Sequence, residues 1–195
     1  MGDSWVCGAA GWAVGWDRLR GMTELRVAWP PAPIATERLV LREPEARDRT
    51  AIIDLMSSPE VGTYVGGSRS RDEVEQALPA EPPRRPGLFV VDLDGAMIGT
   101  VTLDPRDPDR SDYRRPEAGR YELGYLFLPS SWGHGYAAEA CAAALGWFTD
   151  TLPTEPIALT TQTANTQSLR LAHKLGFTEL ERYEAWGAEQ WLGTR

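Results

Sequence analysis

The chain has 195 residues, of which 42% are hydrophobic and 25% are charged, and its formal net charge is −8 at pH 7. These values predict a soluble domain with a full hydrophobic core. The acidic balance argues against nucleic acid as a partner, because phosphate binding needs a surplus of Lys and Arg. No run of about 20 apolar residues is present, so we expect no membrane span.

Cysteine and histidine usage gives little sign of cross-links or metal. Cys7 and Cys141 lie far apart, and neither they nor the two His residues have metal-ligand spacing. We therefore expect no disulfide framework, no metal site and a cytoplasmic location. The first 13 residues are small and apolar but have no positively charged start, so we expect no secretory signal.

Residues 1–33 differ in composition from the remainder. Their tryptophans stand among Gly and Ala without a clean period, and a proline cluster follows. We predict an N-terminal extension or linker, followed by a single domain over residues 34–195. Two alternatives stay open: the tryptophans dock on the domain, or Met22 is the true start.

From residue 36 onward, hydrophobic periodicity and turn residues predict alternating strands and helices. The predicted strands are 37–42, 88–92, 96–101, 121–128, 157–162, 177–186 and 190–192. The predicted helices are 48–56, 71–78, 136–148 and 168–175. Asp94-Gly95 predicts a hairpin turn, and the polar segment 106–115 predicts a loop. This order favours an α+β fold with a mixed, mostly antiparallel sheet.

The most informative segment is 126–140, where a strand leads into a glycine-bearing loop and a helix begins at once. Gly133 and Gly135 have no Cβ, so the backbone can approach an anion closely. The first N–H groups of the helix converge on the same place, which predicts a phosphate or pyrophosphate site. Pro129 ends the strand, so an unpaired stretch before it can accept a ligand amide like a neighbouring strand.

Three kinds of phosphate site compete for this loop. A Walker loop is excluded because no Gly-Lys-Ser/Thr follows. A dinucleotide fingerprint needs a third glycine, where Ala138 stands. The pyrophosphate of coenzyme A is the third possibility.

Two blocks of sequence make the third possibility specific. Tyr121–Tyr125 with Trp132–Ala140 resembles the acyl-CoA-binding motif of GNAT N-acetyltransferases, and Asn165–Phe177 resembles their Asn-x-x-Ser…Lys-Leu-Gly-Phe segment. The opening Thr36–Arg42 is also typical of the branch that includes the ribosomal-protein N-terminal acetyltransferases RimJ and RimL. The resemblance covers roughly residues 34–192 and implies a twisted sheet, flanked by helices, that splays into a V-shaped cofactor cleft.

The resemblance also implies the reaction and its participants. Acetyl-CoA is the expected co-substrate, and the acceptor is a primary amine on a peptide or a small molecule; the family contains monomers and homodimers. The acidic net charge suits a cationic amine, although it equally suits an ordinary solvated surface. The expected cofactor-binding residues are Leu126, Phe127, Leu128, Trp132, Gly133, His134, Gly135, Tyr136, Ala137 and Asn165. We also expect Asn165 to cap the helix that follows it.

Two residues are the expected catalytic groups. Glu122 holds the position of an acidic residue that faces the cleft in related enzymes, which makes it the candidate base; the alternative is a strand Glu paired with Arg120 or another Arg. Ser168 is the candidate hydrogen-bond donor to the departing thiolate, and the alternative is a residue that only starts its helix. Many family members carry a tyrosine acid where Ala172 stands.

Ala172 therefore keeps a second class of function open, a catalytically idle module that binds acyl-CoA. A small-molecule acetyltransferase, acting on an antibiotic or a polyamine, is a further alternative to protein N-terminal acetylation. A second departure, Ser130 in place of the usual Gln or Arg, should leave cofactor binding intact because backbone amides do most of that work.

Overall fold

The computed structural model describes residues 31–108 and 114–195. The interpretation of residues 1–30, and that of 109–113 within the expected polar loop, lie outside the described residues. Within the described ranges, eight strands form one sheet in the order β1-β2-β3-β4-β5-β6-β8-β7. No helix there is both long enough and apolar enough to cross a membrane.

The strands are β1 (Ile34–Ala35), β2 (Val40–Arg42), β3 (Leu88–Leu93), β4 (Ala96–Pro105), β5 (Tyr121–Phe127), β6 (Ile157–Gln162), β7 (Thr178–Ala185) and β8 (Ala188–Thr194). The α-helices are α1 (Arg49–Ser57), α2 (Pro59–Gly62), α3 (Arg71–Ala77), α4 (Tyr136–Thr151) and α5 (Thr166–Lys174). Short 3-10 turns at 46–48, 116–118 and 129–131 connect them.

The first predicted strand is the element that differs most from its prediction. Residues 37–42 alternate like one strand, but the structure has a turn between β1 and β2. The N–H of Thr36 donates to the carbonyl oxygen of Leu39 at 2.9 Å, and the hydroxyl oxygen of Thr36 accepts from the N–H of Leu39 at 2.9 Å. This local competition by a threonine side chain leaves only Val40–Arg42 in β2.

The sheet is mixed and mostly antiparallel, as predicted, and β5 and β6 are the parallel neighbours within it. They pair only at Tyr121 with Ile157 and at Glu122 with Ala158. Beyond those pairs β5 runs on to Phe127 and β6 to Gln162 without further pairing to each other in the described sheet. The sheet is therefore open between these strands, which is the cleft that the resemblance implies.

The core lies on both faces of the sheet. The larger cluster packs α4 and α5 against the sheet, and α1 and α3 cover a smaller cluster on the other face. Large side chains with almost no exposed surface include Leu41, Phe89, Leu103, Phe148, Phe177 and Trp191. Side chains of β5 alternate between the two faces, so the cleft borders both clusters.

A buried ion cluster joins β2, β3 and the segment before α1. The guanidinium of Arg42 donates to both carboxylate oxygens of Asp48, at 2.7 and 2.9 Å, and to Asp92 at 2.7 and 2.9 Å. Asp48 is only 2% exposed. Because a buried charge is tolerated only when it is paired, this cluster fixes how the first helices dock on the sheet.

We expect Asp48→Asn to lower the free energy of unfolding at neutral pH by about 1–2 kcal/mol, because Arg42 keeps Asp92 as a partner. Burial alone would raise the pKa of Asp48, but the hydrogen bonds from Arg42 and from the Glu45 N–H outweigh it, so this pKa is lowered. A lowered pKa gives stability that is complete above the ordinary value of about 4 and is lost below it.

Urea unfolding at several pH values measures how the free energy of unfolding of each protein depends on pH. The wild type should lose stability below about pH 4 more steeply than Asp48→Asn does. Equal slopes in the two proteins would show that this carboxylate is not the group that titrates.

Candidate active site

The open edge of β5 is the first feature of the site. The backbone N–H of Arg106 donates to the carbonyl oxygen of Arg120, and the N–H of Leu128 donates to the carbonyl oxygen of Ile98. In the antiparallel β4–β5 ladder, the even-numbered residues of β5 therefore turn their backbone N–H and C=O groups toward β4. Leu123, Tyr125 and Phe127 then turn their N–H and C=O groups toward the cleft. An extended ligand can pair with this edge as an added strand.

The glycine loop follows directly. The indole of Trp132 donates to the carbonyl oxygen of Phe127 at 2.8 Å, which fixes the loop at the end of the open edge. Gly133 and Gly135 have φ values of +80° and +81°, in the left-handed region that favours glycine. Gly135 is also the residue that precedes the first turn of α4. The loop therefore presents exposed backbone at a helix N-terminus.

Arg38 fixes the loop from the side of β2. Its guanidinium forms an ion pair with Glu139 at 2.6 Å and donates to the carbonyl oxygen of His134 at 3.1 Å. It also lies 4.7 Å from the ring centre of Tyr136, and Thr36 donates to Glu139 at 2.6 Å. A positively charged side chain thus lies beside the loop, where it would strengthen the binding of an anion by charge-assisted hydrogen bonds.

The carboxylate of Glu139 stays ionised in this arrangement. Burial would raise its pKa, but hydrogen bonds from Thr36 and from Arg38 outweigh that effect, and the pKa is lowered. The acid lies in the first turn of α4, where negative charge is favourable. Glu139 therefore positions Arg38 without leaving a free negative charge next to the loop.

Glu122 lies at the closed end of the cleft. It is half-buried and stands between Asp104 of β4 and Ala158 of β6. Arg120, the partner expected if Glu122 were only structural, instead forms an ion pair with Glu155 at 2.6 Å. Asp104 is held by Arg85. Arg120 is therefore engaged by another carboxylate, and the role of Glu122 as the base stays a prediction.

Ser168 lies on the opposite face of β5, at the start of α5. Its hydroxyl is 2.5 Å from the phenol oxygen of Tyr125, and its N–H donates to Oδ1 of Asn165 at 3.1 Å. Asn165 is thus the cap of α5, as predicted. Glu122 and Ser168 border the same cleft from opposite faces of the sheet, so they are placed to act on opposite sides of one ligand.

The other predicted cofactor-binding residues differ in whether they border the cleft and the loop. Leu126 and Leu128 direct their side chains into the smaller core cluster, and the N–H of Leu128 is used by β4, so neither offers backbone to the cleft. His134 is exposed and stacks on Tyr136 with ring centres 5.4 Å apart. Ala137 is half-buried in the first turn of α4, beside the loop.

Comparison with known proteins decides the family. A family model described as an acetyltransferase (GNAT) domain matches residues 38–178, most of the chain. The chain belongs to the GNAT acetyltransferase family. It is therefore an acyltransferase, and the fold expected from the resemblance is confirmed.

Curated relatives and solved structures agree with this assignment. The chain is 29% identical over 150 residues to the uncharacterized N-acetyltransferase p20 of Bacillus licheniformis, covering 73% of this chain and 80% of that one. A GNAT acetyltransferase from Bacillus anthracis superposes with a TM-score of 0.66 at 24% identity, covering 84% and 98%. RimL, a ribosomal L7/L12 α-N-protein acetyltransferase solved with coenzyme A, gives 0.64 at 13% identity, covering 84% and 97%.

Sequence reasoning missed two residues of the candidate site. Arg38 lies in a segment that was singled out only as typical of the family, and its contacts with Glu139 span 101 residues. Tyr125 stood inside the first motif block, but its contact with Ser168 spans 43 residues. Neither contact has a local pattern in the sequence that would have indicated it.

Proposed function

We propose that this protein transfers the acetyl group of acetyl-CoA to a primary amine, by direct attack of the amine within a ternary complex. The observation that carries the proposal is the open edge of β5 leading straight into the Gly133–Gly135 loop. The edge of β5 offers strand-like pairing for an extended arm, and the loop offers backbone N–H groups for a pyrophosphate. Coenzyme A has both parts in that order.

The residues present fit this donor. A Cβ added at Gly133 would meet no atom within 4 Å, so the loop surface is open to a ligand. Arg38 adds positive charge beside Gly135, where its guanidinium would lie 3.7 Å from an added Cβ. Backbone of Leu123, Tyr125 and Phe127 would hold the pantetheine arm, and Trp132 to Ala137 would surround the pyrophosphate.

Direct transfer is supported by the chemistry that the site offers. Acetyl-CoA supplies an activated thioester, and the protein needs to accept a proton from the amine and to stabilise the departing sulfur. Glu122 accepts the ammonium proton from one face of the sheet, and Ser168 donates a hydrogen bond to the sulfur from the other. The C–N bond forms as the C–S bond breaks, and the electron pair of the C–S bond leaves with the sulfur. The second proton that the nitrogen loses on becoming an amide passes to solvent.

An acyl-enzyme route has less support. Cys141 is the cysteine in the described part of the chain, and it has no exposed surface. Burial raises the pKa of its thiol, which keeps it protonated and inert as a nucleophile. A covalent acetyl-cysteine is therefore not part of the proposed reaction.

The acceptor is either an α-amine of a peptide or an alkyl amine of a small molecule. The likeness to RimL shows the fold alone and does not choose between them. RimL itself is an α-N-protein acetyltransferase of ribosomal L7/L12. We carry the α-amine of a peptide and an alkyl amine of a small molecule as the two acceptors to test.

Gly135→Asp tests the loop as the pyrophosphate site. The new side chain would strain a left-handed backbone position and set a carboxylate against Arg38, which cancels the positive charge offered to the ligand. We expect the affinity for acetyl-CoA, measured by calorimetry, to fall by at least ~10-fold, or ~1.4 kcal/mol.

Gly187→Asp is the matched control. Gly187 also has positive φ, at +76°, with open space around a new Cβ, but it lies in the turn between β7 and β8. It should show similar strain and unchanged affinity. Equal affinities for the wild type and a folded Gly135→Asp would remove the loop from the cofactor site.

A further inference from the structure

Tyr125 and Ser168 form a hydroxyl pair that joins the two sides of the cleft. The phenol oxygen of Tyr125, on β5, is 2.5 Å from the hydroxyl oxygen of Ser168, on α5. Tyr125 lies three residues beyond the last β5–β6 pair, where the sheet has already opened. Its backbone turns toward the cleft and its side chain reaches across to the first turn of α5. The pair therefore lies beside the cleft and not in the closed part of the sheet.

The number of hydrogens in this pair is informative. Two hydroxyl groups carry two hydrogens, and only one of them can lie between the two oxygens. Burial raises the pKa of the Tyr125 phenol well above its ordinary value, so the phenol stays protonated. One O–H group of the pair consequently remains available for a third acceptor.

The direction of the hydrogen bond follows from acidity. A phenol is a stronger acid than an aliphatic alcohol and is the better donor of the two, so Tyr125 donates to the oxygen of Ser168. Accepting that bond polarises the serine hydroxyl and strengthens the bond that it donates in turn. The serine N–H is already held by Asn165, so the side chain starts from a fixed backbone.

We propose that Tyr125 is a positioning residue that aligns and polarises the Ser168 hydroxyl toward the departing sulfur of coenzyme A. The inference rests on the proposed function, because it takes the sulfur to lie between β5 and α5. In the step concerned, the C–S bond breaks, its electron pair stays on sulfur, and the serine hydroxyl donates a hydrogen bond to that sulfur. The tyrosine keeps its proton throughout. This two-hydroxyl relay supplies what a tyrosine at position 172 would supply in other family members.

The test is a double-mutant cycle on turnover with Tyr125→Phe and Ser168→Ala. We expect Tyr125→Phe alone to lower kcat by about 3- to 10-fold, with the KM for acetyl-CoA little changed. In the Ser168→Ala background the same substitution should lower kcat by less than about twofold, since the relay is already broken. Equal losses in both backgrounds would overturn the relay, and a larger loss from Tyr125→Phe than from Ser168→Ala would overturn the assigned order of donors.

Tyr121→Phe is the matched control. It removes a phenol hydroxyl from the same strand and the same face, four residues earlier, where the ring packs edge-to-face on Phe148. Its kcat should equal that of the wild type. Thermal unfolding of all variants checks that each is folded, because Phe preserves the shape of both tyrosines.

A binding measurement separates this inference from the proposed function. Calorimetry at mildly alkaline pH compares coenzyme A with desulfo-coenzyme A, which lacks the sulfur. The wild type should prefer coenzyme A, and Tyr125→Phe and Ser168→Ala should each reduce that preference by about threefold or more. Binding of neither compound would overturn the proposed function as well. Equal binding of both by the wild type would overturn the relay and the contact of Ser168 with the sulfur, but not the binding of coenzyme A on which acetyl transfer rests.

Discussion

Glu122→Gln should lower the rate of acetyl transfer at neutral pH by about 100-fold or more, while the affinity for acetyl-CoA stays unchanged. The amide keeps the shape of the side chain but cannot accept the ammonium proton, so only the small fraction of amine that is already neutral reacts. Glu122 lies at the closed end of the cleft beside Ala158, and its expected structural partner Arg120 is engaged by Glu155. Steady-state kinetics with a saturating donor measures the loss.

The pH dependence of this variant also distinguishes the acceptor classes. The loss should shrink as the pH approaches the pKa of the amine, because the amine then deprotonates without help. That pKa is about 7.7–8.0 for an α-amine and about 10.4 for an alkyl amine of the lysine type. Recovery near pH 8 would therefore favour a peptide N-terminus, and recovery only above pH 10 a small-molecule amine.

Asp104→Asn is the control for Glu122. Asp104 faces Glu122 across the β4–β5 ladder, but it is held by Arg85. Its substitution should leave the rate at neutral pH within a few-fold of the wild type. If Asp104→Asn showed the 100-fold loss and Glu122→Gln did not, the base would have to be reassigned to Asp104.

Ser168→Ala should lower kcat by about 10- to 150-fold, which corresponds to one hydrogen bond to a charged group. The hydroxyl is buried against Tyr125 at the start of α5, and Ala172, one turn later, provides no side chain that could replace it. The loss should appear in kcat more than in KM, because the sulfur becomes negative only as it departs.

Asn165→Ala separates this role from helix capping. It removes the cap, at a cost of about 1 kcal/mol in the free energy of unfolding, but keeps the serine hydroxyl. A catalytic Ser168 predicts a large loss of kcat in Ser168→Ala and a small one in Asn165→Ala. Reduced stability with full turnover in Ser168→Ala would leave Ser168 as a helix-start residue.

The elements of the fold could be predicted well because their signals are local. The Asp94-Gly95 turn and the alternation on either side of it indicate β3 and β4, and both are present. The helix after the glycine loop follows from its run of small apolar residues. The turn at Thr36 was missed because its side chain accepts a hydrogen bond from the N–H of Leu39, and this local bond overrides the alternation.

The site could be predicted only in part. The loop and the cap at Asn165 are local features, and the sequence indicated both. The short pairing of β5 with β6 depends on the register of strands more than 30 residues apart, so only the family resemblance could imply it. The contacts of Arg38 with Glu139, and of Tyr125 with Ser168, join residues that no local period relates.

Acetyl transfer to an amine is tested most directly by turnover of acetyl-CoA with a panel of amines. The panel contains peptides with free N-termini, their N-terminally blocked counterparts, and alkyl polyamines, scored by coenzyme A release and by the mass of the product. Amine-dependent release with one acetyl group added to the acceptor nitrogen is the predicted result. Binding of acetyl-CoA without release for any member of the panel would contradict it and would identify the chain as an acyl-CoA-binding module.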